Sequence, residues 1–136
     1  MNEIKDIRFL PMAQYDEDFH NAEQLKKFLC ETVVNREGIY NYYGKSISMK
    51  GKTLVLFQYM NQLRACAVLI DNVKHENGKY NGHYVFDVDT IKFFNKPITK
   101  EEIKEIDPTF TRFSQSFIKT DLKYLDDLLE LIKSHE

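Results

Sequence analysis

Residues 53–70, TLVLFQYMNQLRACAVLI, constrain the fold of this chain more than any other stretch. Two apolar runs flank a polar break, and both are rich in the branched and aromatic residues of paired strands. Leu54, Leu56 and Gln58 fall on one side of the first run, with Val55, Phe57 and Tyr59 on the other. A strand that is apolar on both faces has to be covered on both. This hairpin, turning through Met60, Asn61 and Gln62, is therefore expected at the centre of a sheet. Gln58 and Arg64 stand out there, because a buried amide or guanidinium needs partners that apolar neighbours do not supply.

The flanking segments predict what covers it. EIKDIRFL alternates, with Ile7 and Phe9 on one side, and reads as a first strand ending at Pro11. Asn21 can cap a helix while Gln24 reaches back, and Ala22, Leu25, Phe28, Leu29 and Val33 recur at helical spacing up to Gly38. From Ile39 the period becomes that of a strand. IYNYYGKSISM sets Ile39, Tyr43, Ile47 and Met49 opposite Tyr40, Tyr42, Ser46 and Ser48. A half-buried strand, HYVFDVDTIKFF, precedes a short helix in which Thr99 and Glu102 form a capping box and Ile98 staples onto Ile103. FTRFSQSF reads as the last strand. A closing helix, capped at Thr120, carries Leu122, Leu125, Leu128, Leu129 and Ile132.

Consecutive strands on short connections predict an α+β fold: a small, strongly curved, mainly antiparallel β-barrel with flanking helices. With 136 residues and no repeat, linker or low-complexity stretch, one domain spanning 1–136 is expected. Cys30 and Cys66 lie in apolar periodic segments, as small buried hydrophobes of a reducing compartment do, and a cytoplasmic location is expected. No apolar run approaches membrane-spanning length and MNEIKDIRFLPM lacks the pattern of a secretion signal, so neither a membrane nor export is expected.

Charge is unevenly spread. Residues 32–75 carry six basic and two acidic side chains, whereas residues 1–31 carry four and seven, and residues 76–136 nine and twelve. The basic middle, Arg36, Lys45, Lys50, Lys52, Arg64 and Lys74, reads as a phosphate-binding face on a chain that does not attract polyanions everywhere.

GKTLVLFQY, LRACAVLI and then YNGHYVFDVDTIKFFNKPIT resemble the core of PUA-like modules, the group that holds ASCH, EVE and YTH domains and small domains of bacterial restriction proteins. The resemblance spans roughly residues 36–117 and implies non-catalytic binding of RNA, or of DNA with an altered base. An unpaired or modified base would lie between aromatic rings, be checked by an amide, and have its phosphates held by cations. The candidates are Tyr40, Tyr42 and Tyr43 beside Lys45, Gln58 and Tyr59 beside Arg64, Phe113 and Gln115 in the last strand, with Arg36, Lys50 and Lys52 on phosphates. The chain has no tryptophan, which modified-base cages of this group often use. No cofactor is implied.

Two other readings stay open. In one, the acidic stretches YDEDF and DLKYLDDLLELIKSHE bind a basic protein, as an accessory or inhibitor of a bacterial or phage defence system would. In the other, His83, Asp87 and Asp89, two residues apart on one strand face, with His75 and Glu76 nearby, begin the metal site of a hydrolase or nuclease. An outward polar strand face produces the same spacing by default, so no metal is assigned. Neither cysteine belongs to a zinc-type pair, and no phosphate loop or nucleophile elbow is present.

Overall fold

The structure, a computed structural model, describes residues 3–114 and 117–136. Its elements are β1 (Asp6–Pro11), α1 (Ala22–Lys27, continued by π-helical turns over Phe28–Val33), β2 (Ile39–Tyr42), β3 (Thr53–Tyr59), β4 (Gln62–Lys74), β5 (Gly82–Ile98), α2 (Lys100–Ile106), β6 (Ile118–Thr120) and α3 (Leu125–His135). The central hairpin forms as its pattern predicts. β3 pairs antiparallel with β4 from Thr53↔Leu69 to Tyr59↔Gln62, and every residue of β3 is buried. The turn needs only Met60 and Asn61, both at positive φ (52° and 62°), whose twist matches that of paired strands.

The sheet runs β2-β5-β4-β3-β1-β6, a mixed α+β arrangement. No ladder joins β2 to β6 among the described residues, so the sheet is open where the sequence reading expected a barrel. Nor is it wholly antiparallel. β1 pairs parallel with β3, from Asp6↔Thr53 to Pro11↔Gln58, because the chain crosses over through α1 and β2 before returning. Register shifts at Leu63/Ala65, Cys66/Val68 and Leu69/Asp71 interrupt the β4–β5 ladder, and each adds local bend and twist.

Side chains alternate into two layers. Ile7, Phe9, Leu54, Leu56, Cys66 and Val68 face α2 and α3 and meet Ile103, Leu128 and Ile132 there; this is the helical layer. Leu10, Val55, Phe57, Tyr59, Ala67, Tyr84 and Phe86 face the other way onto Leu25, Phe28, Leu29 and Val33; this is the cleft layer. Burial pushes the Cys66 thiol up to about 12, so it packs as a hydrophobe.

Local signals held at several places. Asn21 accepts from Gln24 N, Thr99 and Glu102 complete their box, and Gly38, at φ +91°, ends the first helix with its N–H on Val33 O. A Cβ at Gly38 would also run into the Phe86 carbonyl oxygen.

Three elements differ from expectation. The strand from Ile39 stops at Tyr42, and the segment beyond folds across the cleft layer, so Ile47 and Met49 share a layer with Tyr40 and Tyr42 instead of opposing them. Its backbone is held by side chains in place of a ladder: Asn81 Oδ1 accepts from Gly44 N (2.6 Å) and the Tyr84 hydroxyl from Ile47 N (3.0 Å). Residues 111–114 are irregular, and the last strand is Ile118–Thr120. Thr120 lies in β6, and Asp121 caps the 3₁₀ turn that leads into α3. Leu122 of the expected stripe is exposed.

Candidate functional site

A cleft of about 210 Å³ opens in the cleft layer. One wall is the end of β1 and the loop after it, from Leu10 to Asp18; the other is β2 with Tyr43 and Lys45. Phe28, Tyr84 and Phe117 complete the lining.

Its floor is a packed set of tyrosines. Tyr42 and Tyr84 have ring centroids 4.6 Å apart, and Tyr40 lies 5.9 Å from Tyr84 and 5.5 Å from Phe28. Burial pushes the Tyr84 phenol up to about 12 and the Tyr40 phenol well above its ordinary value, so both stay neutral. Their hydroxyls have work elsewhere. Tyr42 donates to Asn72 Oδ1 (2.6 Å), whose Nδ2 donates to Ser46 Oγ (3.0 Å) and Ile47 O (2.9 Å). Tyr40 donates to Met12 Sδ (3.4 Å). The Tyr42 hydroxyl passes directly over Gly82, where a Cβ would collide with it.

The facing wall is acidic. Glu17 accepts from the Tyr80 hydroxyl (2.8 Å) and Lys79 Nζ (3.0 Å), and these hydrogen bonds hold its carboxyl below the ordinary range. Asp18 goes the other way: partial burial, then the neighbouring Asp16 and Glu17, raise its carboxyl, against Arg36 and Lys79. Tyr43 is 55% exposed and packs on Tyr80 with centroids 4.9 Å apart, so it is an aromatic ring at the rim that still faces solvent.

Of the residues singled out in the sequence, the structure brings Tyr40, Tyr42, Tyr43 and Lys45 into this cleft, with Arg36 near enough to act on Asp18. The others lie apart. Tyr59 is buried and donates to Gln14 O (2.6 Å), anchoring the acidic loop from behind. Gln58 is 5% exposed; its Nε2 donates to Ser114 O (3.0 Å), and its Oε1 has no partner among the described residues. Arg64 is half-buried near Tyr59, its Nε likewise unpartnered among the described residues. Phe113 packs in the helical layer, 6.1 Å from Phe9 and 5.1 Å from Phe110. Lys52 lies toward the start of β1, where it pairs with Glu3, and Lys50 is outside the cleft lining. Gln115 lies outside the described residues.

The sequence reading missed Asp16, Glu17, Asp18 and Tyr84 as cleft residues. Their signal was visible in YDEDF but pointed to a partner protein, and Tyr84 looked like an ordinary inward strand residue. The polar face of β5 does not gather ligands: His83 Nδ1 lies 2.7 Å from His75 Nε2, and Asp87 Oδ1 accepts from Asp89 N. No three histidine, cysteine or acidic side chains converge as a metal site among the described residues. No described helix is long and apolar enough to cross a membrane.

No protein-family model and no curated protein sequence matches the chain. Solved structures do. An ASCH protein from Zymomonas mobilis superposes with a TM-score of 0.56 at 12% identity, over 92% of this chain and 94% of that one. The fold is that of ASCH and YTH domains. The YTH domain of Pho92 in complex with m6A also superposes (TM-score 0.58, 11% identity, 96% of this chain and 85% of that one). So does the YTH domain of MRB1 from Zygosaccharomyces rouxii in complex with N6-methyladenosine RNA (TM-score 0.56, 11% identity, 93% of this chain and 86% of that one).

Proposed function

We propose that this PUA-like domain binds nucleic acid without catalysis, taking one unpaired or extruded base of RNA or DNA into the cleft between the tyrosine floor and the acidic wall. The observation that carries this reading is the pairing of aromatic and acceptor surfaces in one small cavity. Rings offer the faces on which any base stacks, worth about 1–3 kcal/mol per base, and carboxylates accept from the amino and imino groups that a paired base hides. At about 210 Å³ the cleft is smaller than the roughly 300–1,000 Å³ typical of drug-sized ligands, which suits a single base and excludes a duplex. Lys45, an exposed cation of the lining, supports a phosphate contact beside the base. That two structures of this fold hold an N6-methylated adenosine supports the same reading.

Fluorescence anisotropy with short labelled single strands and duplexes tests it. Single strands should bind and duplexes compete poorly. Tyr43→Ala, which removes a solvent-facing ring and leaves the packed floor intact, should weaken single-strand binding by roughly 1–3 kcal/mol. Unchanged affinity in folded Tyr43→Ala and Asp18→Asn, or no binding of any single strand at low salt, would reject the proposal.

A further inference from the structure

Next to the cleft, at the edge of the sheet, stand two lysines that form no ion pair among the described residues. β1 and β6 pair with Arg8 opposite Lys119, and Ile7 and Phe9 point into the helical layer. Alternation therefore puts Arg8 and Lys119 on the cleft face. Two residues along each strand segment come Leu10 and Phe117, both of which line the cleft, so the cations begin about 7 Å from its rim. Lys50 reaches the same place from the segment that crosses this face: Lys45 stands at the cleft, Ile47 is buried, Met49 packs on the layer, and the Lys50 ammonium faces that of Lys119.

The charges here are not balanced. Arg8 Nε lies 3.0 Å from Asp6 Oδ2, and Asp6 is buried, so that acid is committed to its own pair. Lys52 is paired with Glu3. Lys50 and Lys119 are both exposed, form no ion pair among the described residues, and face one another. Lys50 accordingly holds the Lys119 ammonium below its ordinary value, a repulsion that Asp6 only partly offsets. Two ammonium groups brought together without an acid repel until an anion with several acceptor oxygens sits between them, and a phosphodiester has that chemistry.

Resting on the base-binding reading above, we infer that Lys50 and Lys119 form a phosphate site for the nucleotide next to the one in the cleft, so that a bound strand leaves along the β1–β6 edge. Lys45 and the Lys50–Lys119 pair then mark the two ends of a backbone track across one face.

The test uses short labelled single strands of RNA and DNA, free nucleosides and inorganic pyrophosphate, on the full chain and on the Lys50→Gln/Lys119→Gln variant. Both positions are exposed, and a thermal melt confirms that the variant folds. The variant should bind strands about three- to tenfold more weakly at low salt, with a log–log salt slope smaller by about one unit, while nucleoside affinity is unchanged. Pyrophosphate should shift the side-chain NMR signals of both lysines in the parent protein, and Lys119→Arg in place of Gln should retain binding. Strand binding with an unchanged salt slope in the variant overturns the phosphate site and leaves the base cleft standing. If no strand binds the parent protein, the cleft reading falls, and the lysine pair is judged on pyrophosphate alone; absence of a saturable shift at either lysine overturns it.

Discussion

Behind the sheet, Phe9, Phe110 and Phe113 pack ring against ring beneath α2 and α3, whose backbones satisfy themselves. In front of it, Tyr40, Tyr42, Tyr59 and Tyr84 fill the corresponding layer, and each commits its hydroxyl to a neighbouring segment. The contrast follows from what lies on top. Regular helices bring no stray backbone polar groups to a core, whereas the 13–19 loop brings the Gln14 carbonyl and the 43–50 segment the Ile47 N–H, and tyrosine is the residue that fills an apolar space while ending in a polar group. A face closed by loops closes incompletely, and the cleft is the gap that remains.

The largest expected effect falls on the helical layer. Phe9→Ala removes a fully buried ring from a three-ring cluster and should cost about 3–5 kcal/mol, read as a lowered melting temperature, with ligand affinity following only the folded fraction. A loss of less than about 1 kcal/mol would mean that this layer is not the rigid half of the molecule.

A smaller and more local effect is expected in front. Tyr84→Phe leaves the ring in place and strips the acceptor from Ile47 N–H, costing about 1–3 kcal/mol. Hydrogen exchange should accelerate at Ile47 far more than in β3. Uniform acceleration would erase the distinction drawn between a self-sufficient layer and one tied by hydroxyls.

The smallest effect concerns the clasp between α2 and α3. His135 Nε2 lies 2.8 Å from Glu102 Oε2, and the same Glu102 closes the capping box on Thr99. Burial works against the charge, but the Thr99 N–H, His135 and the Thr99 hydroxyl together hold the Glu102 carboxyl below its ordinary 4.5. A depressed value in the folded state means that its contribution is present above about pH 4.5 and disappears as pH falls through the lower folded value. Glu102→Gln, which can still cap, should lose about 1 kcal/mol or less at neutral pH and flatten the acid side of the stability curve. An acid limb identical to that of the parent protein would show that the clasp contributes nothing.

What could be read from the chain and what could not divides along the range of the interactions. The alternation in Leu54 to Tyr59, the Thr99–Glu102 box and the stop at Gly38 depend on neighbours within a few residues, and all are as the sequence predicts. The parallel β1–β3 pair could not be read, because it joins segments about fifty residues apart and leaves no trace in the local period. For the same reason the alternation in IYNYYGKSISM misled beyond Tyr42: its apolar residues do point inward, but across a fold in the chain and not along a strand. Within the candidate site, aromatic residues advertise themselves without saying where they face. Tyr43 and Phe113 look alike in sequence, yet one stands at the rim and the other is in the core. Glu17 became legible only when Tyr80 and Lys79, more than sixty residues away, were seen to converge on it.

The passage of the Tyr42 hydroxyl over Gly82 has a consequence for ancestry. Because any side chain at 82 would take the space through which that hydroxyl reaches Asn72, the three positions are sterically linked. A homologue that keeps the tyrosine must keep the glycine, and one that loses the tyrosine is still not free of it, because a Cβ at 82 would also lie 2.6 Å from the Val73 carbonyl oxygen. The linkage is steric and does not depend on overall identity. It offers a fingerprint for finding remote kin that close their cleft in the same way, and for separating them from chains that share only the sheet.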